Sequence, residues 1–160
     1  TYTIAELGWL AGILDGEGTV GLTCAPNRNP HLRVFIFNSS DAILEKIRRI
    51  LDACGVPFAE YRDTRAPRHS SNIQIGAAGA VRLHGLLRPH LVRQVERYDA
   101  AVDFLKPLYE GRTRVHWTAA QRAEWEALRL RFNAPDCSKQ NHVSCERRTR
   151  SVTDSGSPFG

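Results

Sequence analysis

No stretch of this sequence is long, uncharged and apolar enough to span a membrane, and no basic-then-apolar leader opens it, so an intracellular protein without a membrane partner is expected. Its four cysteines, Cys24, Cys54, Cys137 and Cys145, lack the paired spacing of a structural zinc site. Cys24 and Cys54 fall on predicted core faces and read as reduced, packed thiols, while Cys137, His142 and Cys145 have no fourth ligand at a usual spacing. No other cluster of histidine, cysteine or carboxylates suggests a compact catalytic pocket, and His84, His90 and His116 read as ordinary surface or satisfied residues. An unrelated small enzyme therefore ranks last among the possible functions. Beyond Asn133 the chain has neither leucine nor isoleucine, so residues 134–160 are expected to form a flexible tail and residues 1–133 one ordinary domain.

Lysine is scarce as well, with only Lys46, Lys106 and Lys139. Arginine carries most of the basic charge that leaves the chain at a formal +5, with a pI near 9.3. A polyanionic partner suits that balance, and arginine's planar fork suits phosphates and guanine edges.

The stretch that organises the rest lies at the start. Thr3 with Glu6 three residues later is a capping box, so a helix should begin at Ile4, and Gly16 fits the left-handed residue that would end it. Ile4, Leu7, Leu10 and Leu14 form one apolar stripe, and Trp9 with Ile13 and Gly8 with Ala11 and Gly12 make further faces that are not polar. Glycine inside a helix costs roughly 1 kcal/mol relative to alanine, and close approach to another helix is the usual offset. If the Gly8 and Gly12 face packs against its own copy, two-fold symmetry sets two Glu17 side chains side by side at the negative ends of two helices. Paired carboxylates with neighbouring carbonyl oxygens suit a hard divalent cation such as magnesium.

Residues 10–18, Leu-Ala-Gly-Ile-Leu-Asp-Gly-Glu-Gly, resemble the signature of the LAGLIDADG homing endonucleases, with Glu17 in the acidic eighth position. The signature occurs once, and a single copy implies a homodimer in that family. The resemblance implies an α+β fold, an αββαββα half-saddle whose curved antiparallel sheet lies over the major groove of double-stranded DNA, with extra C-terminal helices. It implies a magnesium-dependent nuclease that cuts both strands of a long, near-palindromic site and leaves 3′ overhangs. Glu17 and the Gly16 carbonyl would hold the metal, and Gly8, Ala11, Gly12 and Asp15 would lie at the dimer interface. A polar residue where the first hairpin enters the second helix matches Asn38. The family's lysine near the third major helix has no counterpart in residues 88–94, where Arg93 or Gln94 would substitute. That gap keeps open a non-cleaving binder of the same fold, either an intron maturase or a DNA-binding regulator. A short chain without splicing elements suggests an intron-encoded origin.

The order of elements agrees with this. After Gly18 the period changes to two, and residues 19–24 and 31–37 make a first hairpin. Ser39 or Ser40 caps a helix ending near Gly55 and Pro57, and residues 58–63 and 71–75 make a second hairpin. Helices are expected over residues 77–87 and 94–105, and Thr118 with Gln121 opens a last one reaching Phe132. The two hairpins hold five arginines against Glu60 and Asp63, a net +3 of the chain's +5. Arg28, Arg65 and Arg68, in turns, suit phosphates, and Arg33, Arg62, Asn72 and Gln74, within strands, suit base edges, with His69 beside them. Phe35 and Phe37 alternate onto the same face as Arg33. They are expected to cover part of the core, with contact to thymine methyl groups as the lesser alternative.

Overall fold

The computed structural model describes residues 1–24, 29–63, 70–109 and 116–133. The order is α1 (Ile4–Glu17), β1 (Gly18–Thr23), β2 (His31–Asn38), α2 (Asp41–Ala53), β3 (Ala59–Asp63), β4 (Ser70–Ile75), α3 (Ala77–Leu87), a short 3-10 turn over Arg88–His90, α4 (Val95–Tyr109) and α5 (Ala119–Asn133). Among the described residues no helix is long and apolar enough to cross a membrane.

The α1 start is as the sequence reads: Glu6 N–H donates to Thr3 Oγ1 at 3.2 Å, and Thr3 N–H donates back to Glu6 Oε2 at 2.9 Å. Its end is not. Gly16 does not adopt the left-handed conformation; it stays helical, Glu17 is the last helical residue, and Gly18 closes the helix in an extended conformation by donating to the Leu14 carbonyl. Gly18 is required for a steric reason, because a Cβ there would stand 2.4 Å from Leu14 Cδ1 and 2.8 Å from the Leu14 carbonyl oxygen. The chain thus passes from helix to strand with no loop. Elsewhere Ser40 caps α2, the Thr118–Gln121 capping box opens α5, and Gly55 takes the left-handed conformation after α2. Helix α4 runs past Leu105 and Pro107 to Tyr109, longer than its sequence suggests.

The four strands form one antiparallel sheet in the order β1-β2-β4-β3. Strand alternation divides it into two faces. Val20, Leu22, Leu32, Val34, Ile36, Ile73 and Ile75 are buried against the layer of helices that includes α1, α2 and α3. Thr19, Gly21, Thr23, His31, Arg33, Phe35, Phe37, Asn72, Gln74, Ala59 and Tyr61 take the opposite face, and none of them is buried. Phe35 and Phe37 therefore do not cover the core, contrary to the expectation from sequence. The buried set of about two dozen apolar side chains, each worth roughly 1.5–3 kcal/mol when taken from water, is reached without them.

Helices α4 and α5 lie beyond β1. The amide of buried Gln94 donates to the Gly18 carbonyl at 3.1 Å, Arg97 Nη1 to Val20 O at 3.3 Å, and Trp125 Nε1 to Thr23 O at 3.1 Å. Three side chains thus tie the helices to the outer strand. Trp125 is fully buried and packs with Phe104 and Trp117, their ring centroids 5.5–5.9 Å apart. His84 is a satisfied histidine: its Nε2 meets Asp99 Oδ1 at 2.6 Å, and Arg88 holds the same carboxylate at 2.9 and 3.0 Å. Burial pushes the Asp99 carboxyl up, but these two donors and their charges outweigh it and hold it below its ordinary value.

Candidate functional site

Glu17 reaches solvent because of where α1 stops. It occupies the last helical turn, where backbone carbonyls lack helical partners and the helix dipole is negative, and its side chain is exposed. Asn38, the last residue of β2, donates from Nδ2 to Glu17 Oε2 while its Oδ1 accepts the Ser40 N–H at 2.8 Å. The cap of α2 therefore fixes the Asn38 amide, and the amide in turn orients the carboxylate. Two candidates 21 residues apart in sequence meet at one point. Gly16, the helper proposed for the metal, is exposed beside them. The donor set is hard oxygen, which suits magnesium or calcium. Among the described residues no group of three or more acidic, histidine or cysteine side chains could hold an ion. At this point the described residues supply one carboxylate, that of Glu17.

Asp15 does something else. Its carboxylate accepts the backbone N–H of Val92 at 2.7 Å and of Gln94 at 2.9 Å, so it caps the approach to α4 within its own chain. Ala11 is fully buried in the core of this chain, away from the exposed side of α1. Gly8 faces the His90 ring, whereas a Cβ on Gly12 or Gly16 would meet nothing within 4 Å. Gly12 and Gly16 are therefore not explained by contacts among the described residues.

Arg93 donates from Nη1 to the Asp15 main-chain carbonyl at 3.1 Å, so its guanidinium is committed next to the end of α1. It lines a cavity of about 360 Å³ with Thr19, Gln94, Glu96, Arg97 and Phe132. Arg97, which sequence reading did not single out, donates there to Val20 O, to Phe132 O and to Asn133 Oδ1. All three acceptors are uncharged, and burial lowers its pKa from the usual arginine value. Nothing in its local sequence distinguishes it from other helical arginines.

On the open face of the sheet, Arg33, Asn72 and Gln74 stand together as expected. Arg62 does not join them. It pairs with Ser71, whose side of the sheet is buried, and its guanidinium lies 3.6 Å from Asp41 at the start of α2. Glu60, two residues earlier, reaches Arg48 of α2 at 3.2 Å. The β3 residues that do reach the open face are Ala59, opposite Gln74, and Tyr61, opposite Asn72. Among the described residues Asn72 Oδ1 is enclosed and meets no hydrogen-bond partner. Arg28, Arg65, Arg68 and His69 lie outside the described residues.

No protein-family profile and no curated protein matches the sequence. Solved structures do. The homing endonuclease I-CvuI, in complex with its target in the presence of calcium, superposes with a TM-score of 0.62 at 13% identity, over 80% of this chain and 80% of that one. An archaeal intron-encoded homing endonuclease, I-Vdi141I complexed with DNA, gives 0.61 at 11% identity, over 79% and 81%. The meganuclease I-SmaMI bound to uncleavable DNA gives 0.60 at 16% identity, over 80% of this chain but 45% of its own.

The chain has the LAGLIDADG homing-endonuclease fold.

Within that fold the signature segment forms the end of α1 and the turn into β1, so the motif read from sequence and the architecture coincide at Glu17. The helix-to-strand passage explains two of its letters. Leu14 and Gly18 must touch for the helix to close, and the acidic residue between them is thereby turned outward.

Proposed function

We propose that this protein is a site-specific homing endonuclease that hydrolyses phosphodiester bonds in both strands of a long, near-palindromic duplex. The observation that carries the reading is the contact of Asn38 with Glu17, which holds one exposed carboxylate at the end of the signature helix. Glu17, with the Gly16 carbonyl, would hold a divalent ion, magnesium in the cell. When bound, such an ion supplies charge stabilisation for the attacking and leaving oxygens and lowers the pKa of water. Asn38 keeps the carboxylate aimed and spends its own oxygen on Ser40, so it acts as a positioning residue. Arg93 would stand near the scissile backbone as a fixed positive charge, a role that arginine fills better than that of proton acceptor. DNA itself would lie on the open sheet face, read by Arg33, Asn72 and Gln74, with Arg28, Arg65, Arg68 and His69 on its flanks.

The exposed, small-residue side of α1 around Gly12 supports a homodimer, in which a second Glu17 completes the metal site. Two-fold symmetry then requires a near-palindromic target. A staggered cut with 3′ overhangs, an intron-encoded gene, an intracellular location and a separate tail over residues 134–160 belong to the same reading.

One observation favours a second reading, a non-cleaving binder of the same fold. Residues 88–94 hold no lysine, and Arg93 is already engaged by the Asp15 carbonyl. The test is to select duplexes from a randomised near-palindromic library with magnesium and again with a chelator. Discrete duplexes cut only with magnesium establish the nuclease. Duplexes bound in both conditions and cut in neither establish the binder, and no selected duplex at all overturns both.

A further inference from the structure

The open sheet face is not uniformly polar. Phe37 of β2 and Tyr61 of β3 stand directly opposite Asn72 on its two sides, and they are 51% and 58% exposed. Phe35, opposite Thr19 and Gln74, stacks on Phe37 with ring centroids 6.4 Å apart and planes 16° from parallel. Gly21 makes room for this arrangement, since a Cβ there would stand 2.9 Å from the Phe35 ring. Phe37, Asn72 and Tyr61 form a row across β2, β4 and β3, with Phe35 stacked beside Phe37 along β2. The rings contribute nothing to the core, which Ile36 and Ile73 fill from the opposite side of the same strands.

Such aromatic rings, on the same face as Arg33 and Gln74, call for a ligand surface that is polar with apolar points. The major groove of DNA has one such point, the 5-methyl group of thymine. Asn72 adds the matching half. Its Oδ1 meets no partner among the described residues, so the side chain forfeits no hydrogen bond to them from that oxygen by turning towards a base, and the amide of asparagine pairs with the N6 and N7 edge of adenine. Thymine methyl and adenine edge belong to the same base pair.

We propose that the group Phe35, Phe37 and Tyr61, with Asn72 between the last two, selects A·T pairs within each half-site by contact with thymine methyl groups. This rests on the DNA-binding reading above. It also commits to DNA over RNA, because RNA carries uracil and its major groove is too deep and narrow for side chains.

The test begins with duplexes selected by binding to the full-length protein. Each thymine of the selected half-site is then replaced singly by deoxyuridine, which removes only the methyl group. At one or two positions the wild-type protein should bind the uracil duplex about fourfold more weakly, the equivalent of one buried methyl. Phe37→Ala should bind thymine and uracil duplexes alike at those positions, and Asn72→Ala should lose the preference for adenine there, with thermal melts showing both variants folded. Selected sites without a shared thymine, equal wild-type affinity for every uracil duplex, or full thymine preference in Phe37→Ala would each overturn the proposal while leaving DNA binding intact. Failure to select any duplex would overturn the DNA-binding reading and this inference with it. The uracil series needs no mutant, so the outcome does not depend on a variant's folding.

Discussion

The two ends of α1 treat the same chemical group in opposite ways. At the start, Glu6 is consumed: Thr3 donates to it, Arg49 donates to it, and these bonds hold its pKa down to about 2. At the other end, three turns on, Glu17 meets a single neutral amide and faces solvent. Asp15, two residues before it, belongs with Glu6, since both of its oxygens are occupied by backbone N–H groups. Of the three acids on this helix, two hold the fold together and one is kept out of it. An acid that contributes little to stability while its neighbours contribute much is one the architecture can lend to a ligand.

The comparison can be broken by removing each group in turn. Glu17→Gln should lower magnesium-dependent strand cleavage by about 10³-fold or more while leaving gel-shift affinity within a fewfold of wild type. Cleavage at wild-type rate would sink the assignment of Glu17. Gly12→Leu comes next. A Cβ at that position meets nothing within 4 Å among the described residues, so the variant should stay folded yet shift the dimer dissociation constant by tenfold or more, read by sedimentation. A dimer that persists unchanged would place the interface elsewhere.

Asp15→Ala should cost about 1–2 kcal/mol in denaturant unfolding, as the loss of a helix cap does. An undisturbed midpoint would return Asp15 to the list of available acids. The smallest effect is that of Glu6→Gln. Because the folded-state pKa of Glu6 is depressed, its contribution is complete above the usual value of 4.5 and is lost as pH falls from there towards 2. The difference in melting temperature between wild type and Glu6→Gln should therefore shrink across that window, whereas a constant difference would show that the ion pair with Arg49 adds nothing.

How far these roles could be read from sequence depended on whether they were local. The capping box at Thr3, the cap at Ser40 and the alternation of β1 and β2 involve neighbours in the chain, and they were legible. Arg62 was not, because β3 has no apolar alternation of its own and its facing is set by register with β4. A one-residue difference in register exchanges every side chain between faces. The pairing of Glu60 with core residue Ile73 is what sends Arg62 to the helices and Tyr61 to the open face. Gly16 differs from its sequence reading for a related reason: a glycine one residue before the last helical position looks the same in sequence as one just beyond it. The role of Asp15 needed contacts 77 and 79 residues away. No local pattern carries that information.

The tie between β1 and the C-terminal helices has a consequence for solubility. An outer strand offers its carbonyls to any extended chain that passes, and that is how sheets grow between molecules. Here Gln94, Arg97 and Trp125 take up the carbonyls of Gly18, Val20 and Thr23. They act as stoppers along a template, one just before α4, one on α4 and one on α5, and Asp15 holds the first of them through the Gln94 N–H. Shortening this protein at its C-terminal side to make a smaller reagent would remove Trp125 first, and with it part of the guard against aggregation.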